Sequence, residues 1–407
     1  MGLPAPLVTT EPGPAPEPAD RWSSGVRPAL VGFLWARLCV AAGFVVAHVL
    51  SGRVALPDGR LHLSEGLLTW DGAFYRALAA GWYDGSTTEA ARFFPLFPAA
   101  ARAVSPLFLG REDIALVVIA NVSALAGAVV LWRLAVEVTG DHDAAGRSAW
   151  MVAVVPSAFV LAFAYSEGLS LLLVAATLLM AHRRAFWWVA ALGLASSAVR
   201  PVGVLLVVPI GVEALRTLRA SDLHPTDLHP TDQHPTAGRG ADVPTSVAVA
   251  ARLTAVVAPV VGLGLAMAWV GAATGDDGLP FRIQRQLRAG FRDPLTRLAQ
   301  GIWDVARFDF RDVYNVAFAV AFIALVVLSV RRRQPLAWIA YSVTTLVVAL
   351  SANNIDSLGR YGLLALPLVV ALAQWADIRW RQVLVGAVGS IGLVWLTTEA
   401  LLGRVIP

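Results

Sequence analysis

Eleven apolar runs constrain this chain more than any other feature. They lie near 29–50, 113–136, 148–164, 167–181, 185–199, 201–216, 247–272, 313–330, 336–351, 361–376 and 383–402. Segments this apolar, recurring along one chain, call for a bilayer as solvent. There the backbone must satisfy its own hydrogen bonds, and a helix does this within one segment. The 407 residues are 57% hydrophobic and only 15% charged, too little charge to cover a soluble surface of this size. The expected fold class is therefore an all-α polytopic membrane protein of about eleven transmembrane helices.

Several runs are short for an untilted span of roughly twenty residues. Residues 148–181 hold one acid, Glu167. As a single helix they would measure about 51 Å, against a bilayer core of about 30 Å. A hairpin at Tyr165-Ser166-Glu167 resolves the mismatch, and the same logic divides 185–216 at Arg200-Pro201.

Composition also removes alternatives. All the basic residues are arginine, the net charge is +4, and no concentrated basic patch offers itself to nucleic acid. Cys39 is the only cysteine, so intramolecular disulfides and thiolate metal clusters are excluded. Residues 1–20 lack a basic leader and are dense in proline, so a disordered cytoplasmic arm is expected over 1–28, not a cleaved signal peptide. Residues 217–246 contain Asp-Leu-His-Pro-Thr twice and Asp-Gln-His-Pro-Thr once. The histidines invite a metal-binding reading, but proline and polar residues at this density are expected to form a disordered linker. It separates an N-terminal transmembrane module, 29–216, from a C-terminal one, 247–407.

Short turns bearing His182-Arg183-Arg184, Arg216 with Arg219, Arg331-Arg332-Arg333, and Arg379 with Arg381 fall on one predicted side. Arginine in short loops marks the cytoplasmic face. The two long loops, 51–112 and 273–312, then lie outside, in a cell-membrane protein with a cytoplasmic N-terminus. Even numbers of spans separate loop 51–112 from Tyr165-Ser166-Glu167, from Arg200, from loop 273–312 and from Asn353-Asn354. The polar residues that look misplaced in this sequence are thus expected on one face, whichever face that is.

The most informative stretch is Trp70-Asp71-Gly72-Ala73-Phe74-Tyr75. Asp71 follows an apolar approach at the membrane edge, where an acid is costly without purpose. Phe74, Leu78 and Trp82 then recur every fourth residue, as on an interfacial amphipathic helix. The plain structural reading is aromatic anchoring with Asp71 as a helix N-cap. In the second loop Ile283, Leu287 and Phe291 share one helical face, with arginines on the rest, as in a membrane-surface helix beside anionic head groups.

Trp70-Asp71-Gly72 with Phe74-Tyr75 and Phe93-Phe94-Pro95-Leu96-Phe97-Pro98 resembles the first-loop signature of PIG-V-type mannosyltransferases, which add the second mannose to GPI anchors, and of their bacterial relatives. The resemblance continues, in order, through Pro156-Ser157-Ala158-Phe159, Ala164-Tyr165-Ser166-Glu167-Gly168-Leu169, Ser197-Ala198-Val199-Arg200-Pro201-Val202-Gly203 and Ser357-Leu358-Gly359-Arg360-Tyr361. It departs at Gly168, where the family tends to have a further small polar residue. The resemblance implies a GT-C-like bundle, with transfer of mannose from a polyprenyl phosphate mannose donor to an extracytoplasmic glycan, glycolipid or protein acceptor. It gives Asp71 the role of general base.

One carboxylate within reach of an acceptor hydroxyl suffices for such chemistry, because the lipid phosphate is already a good leaving group. Charge growing on that phosphate needs fixed cations, which arginine supplies by bidentate geometry and permanent charge. Arg200 and Arg360 are the candidates, and no metal or other cofactor is required. Trp70, Tyr75, Tyr165, Glu167, Asn353, Asn354 and Tyr361 complete the expected donor- and acceptor-binding set. Each has a structural alternative: snorkelling for Arg200, interfacial anchoring for Arg360 with Tyr361, helix capping for Glu167, and chain turning for the asparagines. Asp-Arg chemistry does not read sugar identity, so a transferase of arabinose or glucose is the second reading. A lipid or solute transporter is the third, disfavoured by the absence of internal duplication.

Overall fold

The computed structural model describes residues 20–53, 62–84, 86–222, 245–308 and 312–405. The histidine-proline repeat and residues 1–19 of the proline-rich arm lie outside these. Among the described residues the N-terminal half forms α1 (Asp20–Leu50), α2 (Asp71–Gly81), α3 (Leu96–Val104), α4 (Glu112–Thr139), α5 (His142–Val154), α6 (Glu167–His182), α7 (Phe186–Val199) and α8 (Val207–Asp222). The C-terminal half forms α9 (Thr245–Thr274), α10 (Leu279–Leu287), α11 (Pro294–Ala306), α12 (Val313–Arg331), α13 (Leu336–Leu350), α14 (Leu358–Leu364), α15 (Leu366–Trp375) and α16 (Arg379–Leu401). There is no strand among them, only an isolated antiparallel bridge between Phe291 and Ala352. The chain is an all-α membrane protein.

Every expected apolar run is helical, yet among the described residues five helices (α1, α4, α9, α12 and α16) are long and apolar enough to cross a membrane. The pair α14–α15, bent by 79°, makes a sixth if taken as one broken span. The expected count of eleven is not reached by length. Helices α6, α7 and α13 have 16, 14 and 15 residues, which is about 21–24 Å of helix. Two boundaries also move. Residues 20–28, expected in the arm, begin α1, where Gly25 lies directly against the Trp132 ring of α4. The expected linker loses 217–222 to α8 and 245–246 to α9, and Arg252 of α9 donates to the Thr217 hydroxyl at 3.1 Å.

Proline shapes the short elements. It lacks a donor and pushes the preceding residue out of helix. Pro156 follows the end of α5, after which a 3-10 helix, Pro156–Leu161, leads to the turn Tyr165-Ser166 and into α6. Pro201 follows Arg200 at the end of α7, and Pro367 lies in the first turn of α15. The chain therefore turns at Tyr165-Ser166-Glu167 and at Arg200-Pro201, as the lengths of the apolar runs require. Carbonyls exposed by the first break are met by polar groups from neighbouring spans. Arg37 of α1 donates to the Leu161 carbonyl at 2.8 Å, and Asn121 of α4 donates to that of Ala162 at 3.1 Å. Arg37 thus serves the broken helix and bonds Asn121, while Arg133 and Glu213 form local pairs with Glu137 and Arg216.

The main core joins α1, α4, α5, α6, α7, α9, α15 and α16, while Tyr75, Leu78, Phe93, Phe97 and Leu116 form a second cluster that fastens α2 and α3 to α4. Gly168, which follows Glu167, is required by packing. A Cβ there would lie 2.1 Å from the Ala120 carbonyl oxygen of α4, so only glycine lets α6 approach so closely. Gly168→Ala is expected to force α6 off α4 and to destabilise the protein by about 1–3 kcal/mol. Thermal unfolding in detergent measures this, and a variant as stable as the parent would contradict the packing described.

Candidate functional site

Asp71 is the first residue of α2, where a carboxylate is favoured by the unpaired N–H groups of the helix start. It is not the N-cap. That position is Trp70, held at φ +54°, a left-handed conformation costly for a bulky residue. Two contacts hold it there: the indole N–H donates to the Ala400 carbonyl at 2.8 Å, and His62 stacks on the ring at 4.3 Å. Ser357, which precedes the helix carrying Arg360, is likewise at φ +69°. Strained residues thus introduce both the carboxylate and the guanidinium of the pair described next.

Arg360 Nη1 donates to Asp71 Oδ2 at 2.5 Å and stands 3.2 Å from Glu167 Oε1. Arg200 Nη1 donates to the same Glu167 oxygen at 2.5 Å and to Ser166 Oγ at 3.2 Å. Ser166 Oγ shares a 2.7 Å hydrogen bond with the Tyr75 hydroxyl. Arg92, not singled out from the sequence, places Nη2 3.6 Å from Asp71 Oδ1. Acid and guanidinium alternate through the cluster, and three guanidiniums against two carboxylates leave one excess positive charge. Glu167 is fully buried and Arg360 is 8% exposed, so each charge depends on its neighbours for compensation. Burial alone would raise the Asp71 carboxyl, but the charges of Arg360 and Arg92 outweigh it and hold the group below its ordinary value of 3.8.

These charges underlie a cavity of about 850 Å³ lined by Trp70, Asp71, Tyr75, Arg92, Arg200, Asn354, Arg360 and Tyr361. Beyond the charged floor its wall turns apolar, through Val202 and Leu205 after α7, Leu263 of α9 and Val348 of α13. Tyr165 and Glu167 lie beneath the floor and not on it: both are fully buried, with the Arg360 guanidinium 5.5 Å above the Tyr165 ring. Their part is to support the arginines from below.

The second-loop elements differ more from expectation. The helical face of Ile283, Leu287 and Phe291 ends at Leu287, because Ala289 and Gly290 adopt positive φ and turn the chain. Phe291 then pairs by backbone with Ala352 and is 81% exposed. Asn353 faces away from the cavity. Its side-chain oxygen accepts from Arg292 at 3.0 Å, and its carbonyl accepts from Arg297 at 2.8 Å. Asn354 lines the cavity, but its Oδ1 accepts from the Asp356 N–H at 2.9 Å. Both asparagines therefore turn and fasten the chain. Arg288, also not singled out from the sequence, clamps this region: Nη2 donates to the Tyr361 hydroxyl at 2.8 Å and Nη1 to the Asn354 carbonyl at 3.3 Å.

No family model matches the chain, and no curated protein matches it. Among solved structures it is similar to an oligosaccharyltransferase of Archaeoglobus fulgidus tethered to an acceptor peptide containing the NVT sequon. The identity is 13% and the TM-score 0.41, over 92% of this chain and 56% of that one. It is similar also to the oligosaccharyltransferase AglB of that organism in complex with an inhibitory peptide and a dolichol-phosphate, at 14% identity and a TM-score of 0.39, over 91% and 56%. The chain spans about half the length of these structures.

Proposed function

We propose that the chain is a GT-C-type membrane glycosyltransferase that moves mannose from a polyprenyl phosphate mannose donor to an acceptor hydroxyl outside the cytoplasm, with inversion. One observation carries the reading: a carboxylate and a set of guanidiniums share the floor of a cavity whose far wall is apolar. Such a cavity suits an amphiphile with one anionic junction between sugar and hydrocarbon tail. The positive excess of the charged cluster suits the negative charge of a phosphodiester.

In the reaction the acceptor oxygen forms a bond to the anomeric carbon while the bond from that carbon to the phosphate oxygen breaks. The bonding pair leaves with the lipid phosphate, and the acceptor proton passes to Asp71. Arg360 occupies Oδ2 of Asp71, which leaves Oδ1 as the accepting atom. Arg200 and Arg360 meet the second negative charge that develops on the phosphate. A phosphate that draws Arg360 towards itself also weakens that residue's hold on Asp71, so the base strengthens when the donor is bound.

Protein purified in detergent is expected to transfer radiolabelled mannose from polyprenyl phosphomannose to an acceptor in native membranes, and to do so undiminished in excess EDTA. Loss of transfer on chelation, restored by a divalent ion, would overturn the assignment of the cationic role to arginine. Transfer from an arabinose- or glucose-bearing donor in place of mannose would keep the chemistry and change the sugar.

A further inference from the structure

Arg92 ends a 3-10 helix, Thr88–Arg92, immediately before Phe93. Its guanidinium carbon lies 4.5 Å from the Phe93 ring centre and 5.6 Å from that of Phe74, and the two rings stack on each other at 5.0 Å. A guanidinium against aromatic faces keeps its charge and loses rotational freedom. Phe93 is itself fixed edge-on by Tyr75, whose hydroxyl meets Ser166 of the charged cluster. The clamp is therefore tied to the same framework that carries Glu167.

We propose that Arg92 is the positioning residue for Asp71: the aromatic clamp aims its guanidinium at Oδ1, opposite the oxygen held by Arg360, and so fixes the carboxylate plane and keeps it ionised. The two contacts differ in a way that suits this division. Arg360 is in close hydrogen-bond contact with Oδ2, whereas Arg92 stands off at 3.6 Å, near enough to act by charge yet far enough to leave Oδ1 open to the cavity. Other groups face Asp71 from the surrounding elements. Arg200 approaches from the end of α7, Tyr165 from the turn before α6 and Tyr75 from α2 itself. Glu167 at the start of α6 meets Asp71 through the shared Arg360, and His62 and Glu65 line the same cavity from the 3-10 helix His62–Leu68. Among the described residues Arg92 and Arg360 are the two cations that form ion pairs with Asp71, and Arg360 is also shared with Glu167. Arg92 is thus the cation whose removal falls chiefly on Asp71. The inference deepens the proposed function and rests on it for its catalytic meaning, but its first test needs no substrate.

An infrared pH titration of the purified protein follows the carbonyl stretch of a protonated carboxyl, and the Asp71 band is the one missing from Asp71→Asn. In Arg92→Gln its midpoint is expected to rise by about one pH unit, the usual effect of losing one opposite charge at this range. In Arg92→Lys the charge returns, and the midpoint should return with it. Phe74→Leu keeps the charge and removes one ring of the clamp, so it should move the midpoint the same way by less, a check that stands even if Arg92→Gln does not fold. The acid limb of transfer activity should follow the infrared midpoint from variant to variant. A midpoint unmoved in Arg92→Gln, or in Phe74→Leu where only that variant folds, would overturn the assignment while leaving the transferase reading intact. Transfer that survives in Asp71→Asn would overturn the general-base role in the proposed function while leaving the infrared shift in place, and a parent protein that transfers no sugar would overturn the transferase reading itself.

Discussion

Asp71→Asn is expected to lower transfer by about a thousandfold, within the usual range for a general base, while the purified protein stays folded. Both halves of that expectation come from the same geometry. The amide oxygen of asparagine can still accept from Arg360 Nη1, and the aromatic clamp on Arg92 does not involve Asp71. Glu167 still compensates Arg360 and Arg200 from beneath. What disappears is the acceptor for the proton. The pH dependence carries a sign that tests the same point. Because the surrounding guanidiniums hold the Asp71 carboxyl below 3.8, the base form is complete at neutral pH and is lost only as pH falls through that depressed value. Activity that declined between pH 7 and 5 would therefore report some other group. Transfer by Asp71→Asn at the parental rate across this range would remove the carboxylate from the mechanism.

The residues legible in the sequence share one property: each is a charge in an apolar setting, where its cost demands an account. Asp71, Glu167, Arg200 and Arg360 were all visible on that ground. Counting spans between them put them on one face, and in the structure they touch. Arg92 and Arg288 were not visible. Both belong to long polar loops in which arginines are nearly matched by acids, so nothing in composition separates a site residue from a solvated one. Their roles arise only when Asp71 and Tyr361, remote in sequence, fold against them. The asparagines failed in the opposite sense. An Asn-Asn pair beside the site suggests sugar recognition, yet the backbone and arginines of the second loop take up their polar atoms. Span number was the weakest reading of the fold. Apolar composition shows that a segment prefers a membrane, but proline breaks at Pro156, Pro201 and Pro367 decide whether it forms a full span or a shorter helix.

Arg360→Gln is expected to be the most damaging single change in the cluster. Nη1 of this side chain lies between Asp71 and Glu167, and Nη2 donates to Ser357 Oγ at 3.2 Å. A neutral amide in its place leaves a fully buried Glu167 compensated by Arg200 alone and an Asp71 held by Arg92 alone. Removing one partner from a buried pair of this kind costs about 3–5 kcal/mol. Thermal unfolding in detergent should fall accordingly, and transfer should vanish with it. Loss of fold and loss of chemistry are separable by a second substitution. Glu167→Gln introduced beside Arg360→Gln removes the fully buried carboxylate, leaves Arg200 facing the cavity, and is expected to restore part of the lost stability. It should not restore transfer, because the departing phosphate still lacks its cation, a deficit of about a hundred- to a thousandfold. Arg360→Lys should do little better than Arg360→Gln in transfer, since one ammonium cannot serve Asp71, Glu167 and Ser357 together in the fork geometry that a guanidinium provides. Recovery of transfer in the double variant would show that Arg360 acts only as a strut.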